Sequence, residues 1–174
     1  MLERIKSLDT ELFLFLNGKH NAFFDPIMYW ASDKMFWIPF YLFIAILLVK
    51  HYKKQSILIF ICIAILITLS DQIASHLIKN SVQRLRPSHE PALQDLIHLS
   101  EAGAGGTYGF ISSHAANAFT LTTFLFFVLK NNFNWLKTIL ILWALLVSYS
   151  RIYNGVHYPL DEYAKNFKRN NIIE

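Results

Sequence analysis

Four apolar runs without a charged residue constrain the fold of this chain more than any other feature. They cover residues 35–49, 55–70, 115–129 and 138–150. Each run holds only about 13 to 16 residues, whereas an unambiguous membrane span needs 18 or more. The lysines at the run edges have long stems that reach the interface, so the pattern still predicts four membrane helices; these lysines are Lys34, Lys50, Lys130 and Lys137.

Composition supports an apolar environment around these helices. The 174 residues are 54% hydrophobic and only 16% charged, which argues against disorder and against an ordinary soluble domain. A soluble helical bundle is the alternative, but residues 36–49 show no polar face, which a bundle helix needs. We therefore expect an all-α integral membrane helical bundle.

Several classes of protein are disfavoured by simple counts. The net charge of +4 is too small and too scattered for a nucleic-acid partner. The single cysteine, Cys62, permits neither an intramolecular disulfide nor a cysteine-based metal cluster. The start lacks the pattern of a secretory signal, and no repeat or linker divides the chain. We expect one domain over residues 1–161 and a polar tail over residues 162–174.

A short apolar helix is predicted before the first run, over residues 8–18. Asp9 or Thr10 is a candidate N-cap and Gly18 a candidate stop. This helix would lie in the membrane interface or pack against the bundle.

Lysine-rich loops predict the orientation of the bundle. Residues 50–54 join the first two runs and residues 130–137 join the last two, so both loops fall on one side. The positive-inside rule makes that side cytoplasmic. Residues 79–114 and the chain after Ser150 then share the outer side.

The first chemically informative segment covers residues 79–87 and contains Lys79, Arg86 and Pro87. Lys79 and Arg86 are seven residues apart, or two turns, so we expect them on one helix face until Pro87 ends the helix. Two such cations at a membrane surface suit a phosphate group. Alternatively, they are interfacial basic residues that anchor a helix end.

The second segment is glycine-rich over residues 103–109 and continues through Ser112, Ser113 and His114 into the third apolar run. Such a loop before a helix N-terminus offers backbone N–H groups and the positive end of the helix dipole to an anion. Either serine alternatively caps the helix. His114 is placed to give or take a proton near neutral pH.

The third segment contains Arg151, His157 and Asp161. Pro159 prevents one continuous helix, so we expect it in the first turn of a new helix, with Asp161 reaching back to His157. A carboxylate on one ring nitrogen fixes the tautomer and leaves the other nitrogen free to attack. Arg151 supplies a third cation.

Together these segments resemble the three-part signature of the type 2 phosphatidic acid phosphatase superfamily, which includes vanadium haloperoxidases and bacterial undecaprenyl-diphosphate phosphatases. The match spans residues 79–161 in order and spacing, and the apolar runs are similar to those of small bacterial membrane members. The resemblance implies a membrane lipid phosphate or diphosphate phosphatase in the bacterial inner membrane, facing the periplasm. Its substrate would be a phosphate-bearing lipid of the bilayer, and it would need no metal or other cofactor.

The resemblance also implies a role for each residue. His157 would attack phosphorus and form a phosphohistidine, Asp161 would orient His157, and His114 would protonate the leaving oxygen before helping a water to release phosphate. The other signature residues would hold the phosphoryl oxygens: Lys79, Arg86, Ser112, Ser113 and Arg151.

The chain departs from the family pattern in two places. The second segment is usually Pro-Ser-Gly-His, but here Ile111 and Ser113 stand where the Pro and Gly are expected. Family members are also expected to continue after Asp161 into a last apolar helix, which the polar residues 162–174 do not provide. The alternative function is therefore a truncated, non-catalytic membrane protein that binds phospholipid headgroups. A soluble haloperoxidase-like oxidant is disfavoured by the apolar helices.

Overall fold

The computed structural model describes residues 2–101 and 103–162, so most of the predicted polar tail lies outside the described residues. The α-helices in these ranges are α1 (Leu2–Asn17), α2 (Phe24–Ser32), α3 (Ile38–Tyr52), α4 (Ser56–Gln72), α5 (Lys79–Val82), α6 (Ser113–Val128) and α7 (Asn134–Tyr153). A π-helical segment, Ile73–Ile78, joins α4 to α5. Among the described residues, β-structure is limited to one isolated bridge between Leu85 and Tyr108. The all-helical class predicted from the sequence is confirmed.

Each predicted apolar run forms one helix, namely α3, α4, α6 and α7 in order. By length and composition, two stretches of the described chain can cross a membrane: Ile38–Val82 with mean hydropathy 2.4, and Asn131–Tyr153 with mean hydropathy 1.4. The number of spans remains a prediction.

The stretch Ile38–Val82 folds back on itself between α3 and α4. Tyr41 and Ile67 line the same cavity, although a straight helix would separate them by about 39 Å at 1.5 Å per residue. Lys53, between the two helices, has a positive φ of 50°. The stretch is therefore a helical hairpin.

The main hydrophobic core lies between α3, α4, α6 and α7. Its fully buried side chains include Leu48, Leu125, Leu136 and Leu140. The outward faces of the same helices expose large apolar side chains, among them Leu58, Phe127 and Leu142. A helix that is apolar on both its inner and outer faces is typical of a membrane bundle.

The two lysine-bearing loops lie at the same end of the bundle, as the loop arrangement predicted. The Tyr52 hydroxyl donates to the Val128 carbonyl oxygen over 2.7 Å, and the rings of His51 and Phe133 are 4.8 Å apart. Which side of a membrane this end faces stays a prediction.

Helix α1 differs from the prediction in its start and in the role of Asp9. The helix begins at Leu2, and Asp9 is a buried residue within it rather than a cap. Asp9, Phe13 and Asn17 are spaced four apart and are all buried, so one face of α1 packs against the protein. The opposite face exposes Phe15 and other apolar side chains. Helix α2 was not predicted.

Candidate active site

Lys79 and Arg86 do not share a helix face, contrary to the spacing argument. Lys79 begins α5, directly after the π-helical segment, but α5 ends at Val82 because Gln83 takes a left-handed conformation with φ 49°. Arg86 is extended, with φ −70° and ψ 156°, as expected for a residue before proline. The two cations are instead brought together by a change of chain direction.

Arg86 is buried against the glycine-rich loop. Its guanidinium donates to the carbonyl oxygens of Tyr108 at 3.2 Å and Val156 at 3.4 Å. A Cβ on Gly105 would lie 2.8 Å from Nη1 of Arg86, and a Cβ on Gly109 would lie 3.0 Å from its Cγ. The loop therefore needs glycine to pack around this side chain.

The same loop pairs with the segment before Arg86 instead of leaving all its N–H groups free. The Gly109 N–H donates to the Arg84 carbonyl oxygen over 2.9 Å, and the Arg86 N–H donates to that of Thr107 over 3.0 Å. The prediction that this loop offers its N–H groups to an anion is wrong for Gly109. Its glycines instead allow the loop to fit closely around the arginine side chain.

The N-terminus of α6 carries Ser112, Ser113 and His114, the last residues of the second segment. Ser112 is the N-cap, and its hydroxyl accepts from the Ala115 N–H over 3.3 Å. The Ser113 hydroxyl accepts from Nζ of Lys79 over 3.2 Å and is hydrogen-bonded to Ser75 over 2.9 Å. Ser113, where the family usually has glycine, thus holds the lysine in place.

His157 and Asp161 meet in a tight turn after α7. Gly155 makes this turn possible, because it has φ +76° and a Cβ there would lie 2.6 Å from the His98 carbonyl oxygen. Pro159 then begins a 3₁₀ turn, Pro159–Glu162. Nδ1 of His157 lies 3.4 Å from Oδ2 of Asp161, and both side chains are fully buried. The carboxylate thus faces one ring nitrogen.

His157 is held neutral by its surroundings. Burial lowers the pKa of His157 well below its ordinary value, and the positive charges of Arg86, Arg151 and Lys79 lower it further. All three cations of the signature therefore act on this ring. A neutral imidazole has a free lone pair and can act as a nucleophile.

Asp161 is the most buried carboxylate at the site. Burial raises the pKa of Asp161 to about 6, and the Arg84 guanidinium opposes the shift. The Tyr158 N–H also donates to Oδ2 over 3.0 Å. At neutral pH Asp161 is mostly ionised and can accept from the protonated Nδ1 of His157.

Arg151 and His114 complete the group. Arg151 lies in the last turn of α7 and donates from Nη1 to the Ser32 hydroxyl at the end of α2. His114 lies in the first turn of α6, where burial and then the charges of Arg151 and Lys34 lower its pKa to about 3. Without a bound anion His114 is therefore neutral, contrary to the expectation that it titrates near neutral pH. His114 also lines a cavity of about 470 Å³ that extends between α3, α4, α6 and α7.

Two residues that the sequence analysis missed complete the site's hydrogen bonding. Arg84 donates to both Asp161 and Asp9, at 3.0 and 2.6 Å. Arg84 lies only two residues before Arg86. The four-residue spacing of Asp9, Phe13 and Asn17 along one helix face was the available signal for Asp9.

Comparisons with known proteins bear on this geometry. The profile of the PAP2 superfamily matches residues 60–164, a range that includes all three predicted segments. The chain belongs to this superfamily. The resemblance inferred from the three segments is confirmed.

A curated relative and two solved structures agree with this assignment. A lipid A 4'-phosphatase of Bacteroides thetaiotaomicron is 39% identical over 163 residues, which cover 92% of this chain and 72% of the relative. The crystal structure of Aquifex aeolicus LpxE matches with TM-score 0.61 and 26% identity, over 90% of this chain and 86% of that one. The PAP2-type phosphatidylglycerolphosphate phosphatase of Bacillus subtilis matches in fold, with TM-score 0.66 and 19% identity over 91% and 77%. The protein is a membrane lipid phosphatase.

Proposed function

We propose that this chain hydrolyses a phosphomonoester of a glycolipid by attack of His157 on phosphorus. The observation that carries the proposal is a buried, neutral His157 with a carboxylate oxygen 3.4 Å from Nδ1 and three cations acting on its ring. Spread negative charge in a phosphoryl-transfer transition state is stabilised by such fixed positive groups.

In the first half-reaction, Nε2 of His157 forms a bond to phosphorus while the bond from phosphorus to the lipid oxygen breaks. The negative charge of the bound phosphate offsets the cations around His114 and allows it to carry a proton, which it gives to the departing oxygen. The transferred phosphoryl group keeps its negative oxygens against the signature cations, Lys79, Arg86 and Arg151. Asp161 stabilises the positive charge that develops on the imidazole.

In the second half-reaction, a water attacks phosphorus and the bond from phosphorus to Nε2 breaks. His114, now neutral, takes the proton of that water and is ready for another cycle. Inorganic phosphate leaves, and His157 returns to its neutral form.

The substrate class follows from the relative and the cavity together. The Bacteroides thetaiotaomicron relative is a lipid A 4'-phosphatase, and we assign this chain a phosphate of lipid A or of a closely related acylated sugar. The cavity beside His114, about 470 Å³, falls within the usual range of roughly 300 to 1,000 Å³ for ligand sites. It has room for apolar chain next to the reacting phosphate.

The proposed location is the bacterial inner membrane, with four spans and the site toward the periplasm. The lysines of residues 50–54 and 130–137 lie at the end of the bundle opposite the site. Lysines concentrate on the cytoplasmic side of membrane proteins, which supports this orientation.

The test is phosphate release by the detergent-solubilised full chain from a panel of lipid A, phosphatidate, phosphatidylglycerolphosphate and undecaprenyl diphosphate. We expect release from lipid A that vanadate blocks, that EDTA leaves unchanged and that His157→Ala abolishes. His51→Ala, at the opposite end of the bundle, is the matched control and should retain full activity.

Two outcomes contradict the proposal. Binding of these lipids by a folded protein without any phosphate release would favour the non-catalytic headgroup-binding alternative. Faster release from another member of the panel than from lipid A would overturn the assigned substrate.

The covalent intermediate is tested by trapping. Labelled phosphate should stay on the denatured wild-type protein but not on His157→Ala.

A further inference from the structure

Helix α1 is tied to the catalytic turn through Arg84, a residue outside the three-part signature. The Arg84 guanidinium is nearly buried and donates from Nη1 to Oδ1 of Asp161 and from Nη2 to Oδ2 of Asp9. It also lies over the Tyr158 ring, 3.8 Å from the ring centroid. Two nitrogens of the Arg84 guanidinium are therefore bound by protein carboxylates, one of them Asp161.

Arg84 holds one oxygen of Asp161, so that the other faces the nucleophile. Because Oδ1 accepts from Arg84 at 3.0 Å, Oδ2 is the oxygen left to face Nδ1 of His157 and the Tyr158 N–H. A rotation of the carboxyl group would break the ion pair. The ion pair therefore fixes the plane of the carboxylate as well as its charge.

Asp9 fixes Arg84 and the turn at the same time. Its Oδ2 receives Arg84 at 2.6 Å, and its Oδ1 receives the N–H of Leu160 at 2.9 Å, one residue before Asp161. The Asp9 side chain is only 1% exposed. An aspartate buried in this way needs such partners, because an unpaired buried charge is costly.

We propose that Arg84 and Asp9 are positioning residues of the reaction, which act through Asp161 to set the orientation and the charge state of the group that holds His157. The inference rests on the proposed function of His157. It predicts opposite effects for the two partners, because Arg84 stabilises the ionised form of Asp161 and Asp9 opposes it.

The charged and titratable groups around Asp161 come from several elements. Arg84 and Arg86 favour its ionised form, as does Lys79. Asp9 disfavours the ionised form by like-charge repulsion. The neighbours in the turn itself are His157 and Tyr158.

The first test is the pH profile of kcat for phosphate release by Arg84→Gln. We expect its acid limb to move up by one pH unit or more, so that activity at pH 6.5, relative to pH 9, falls at least about threefold below the wild-type ratio. Arg84→Lys keeps the charge and should restore the wild-type limb. Arg4→Gln removes the same charge from an exposed position of α1 and should leave the profile unchanged.

The second test is Asp9→Asn, which removes a negative charge but keeps an oxygen for the Leu160 N–H. We expect its acid limb to move to lower pH, opposite to that of Arg84→Gln. A purely structural role would lower the rate by the same factor at every pH. Uniform losses in both variants, or shifts in the same direction, would overturn the inference.

A readout without turnover separates this inference from the proposed function. The infrared carboxyl stretch of Asp161, assigned by difference from Asp161→Asn, should titrate at higher pH in Arg84→Gln than in the wild-type protein. No phosphate release from the wild-type protein would overturn the proposed function. An unchanged carboxyl titration in a folded Arg84→Gln protein would overturn the inference.

Discussion

Acid pH is expected to inactivate the enzyme through Asp161. Burial raises the pKa of Asp161 to about 6, so the ionised fraction is about 0.99 at pH 8 and about 0.09 at pH 5. Only the ionised carboxylate both holds the N–H of Nδ1 of His157 in the productive tautomer and stabilises the positive charge that develops on the ring. The value of kcat/KM should therefore fall about elevenfold between pH 8 and pH 5.

The stability of the protein responds to this group in the opposite sense. The folded-state pKa of Asp161 lies above the ordinary value of 3.8. Between about pH 6 and pH 4 the folded state therefore binds this proton more tightly than the unfolded state does, and protonation of Asp161 stabilises the fold. Loss of activity through Asp161 should precede any acid unfolding.

The order of activity loss and unfolding can be tested directly. Initial rates of phosphate release and the melting temperature are measured at each pH from 5 to 9. Activity should return when a sample held at pH 5 is brought back to pH 8. Asp161→Asn is the control and should give a low rate without the acid limb. A rate that stays constant down to pH 5, or an acid limb that coincides with a collapse of the melting temperature, contradicts the assignment to Asp161.

Three further substitutions probe the packing of the site. Gly109→Ala should lower kcat at least about tenfold, because a Cβ there would lie 3.0 Å from the Asp161 carboxylate. Gly106→Ala is the control and should leave the rate unchanged in the same assay, because nothing lies within 4 Å of its Cβ. Ser113→Gly should raise KM about tenfold with little change in kcat, since it removes the 3.2 Å bond that holds Lys79, and an unchanged KM argues against that role. Phe13→Ala should cost about 3 kcal/mol of stability in thermal unfolding because the ring is fully buried; an unchanged melting temperature contradicts this.

The helices of the bundle could be predicted because each is apolar over most of its length. Charge-free runs marked α3, α4, α6 and α7, and local polar residues marked several of their ends. The nine residues of α2 include Asp25 and Pro26, and nothing in this short mixed segment distinguished it from a loop. Its position depends on tertiary packing against α7.

The start of α1 shows why a local pattern can mislead. An aspartate before an apolar stretch is typical of an N-cap, and Asp9 fits that description. Its true partners are Arg84 and Leu160, which are far away in sequence. Only the folded chain reveals that this carboxylate is an internal ion-pair partner.

The composition of the site could be predicted better than its geometry. Residue types and spacing indicated a phosphate site with His157 and Asp161 at its centre. Spacing alone placed Lys79 and Arg86 on one helix face, because it could not anticipate the left-handed Gln83. Backbone conformations of this kind depend on what the chain packs against, so they are not encoded in a local periodicity.

The contact of Asp9 with Leu160 joins positions that are 151 residues apart. Contacts between distant positions form late in folding, because most of the intervening chain must be ordered before they close. During synthesis, α1 and the bundle helices leave the ribosome before the segment that bears the nucleophile. The protein should therefore acquire hydrolytic competence only after its bundle has assembled, so the onset of activity reports the closure of this contact.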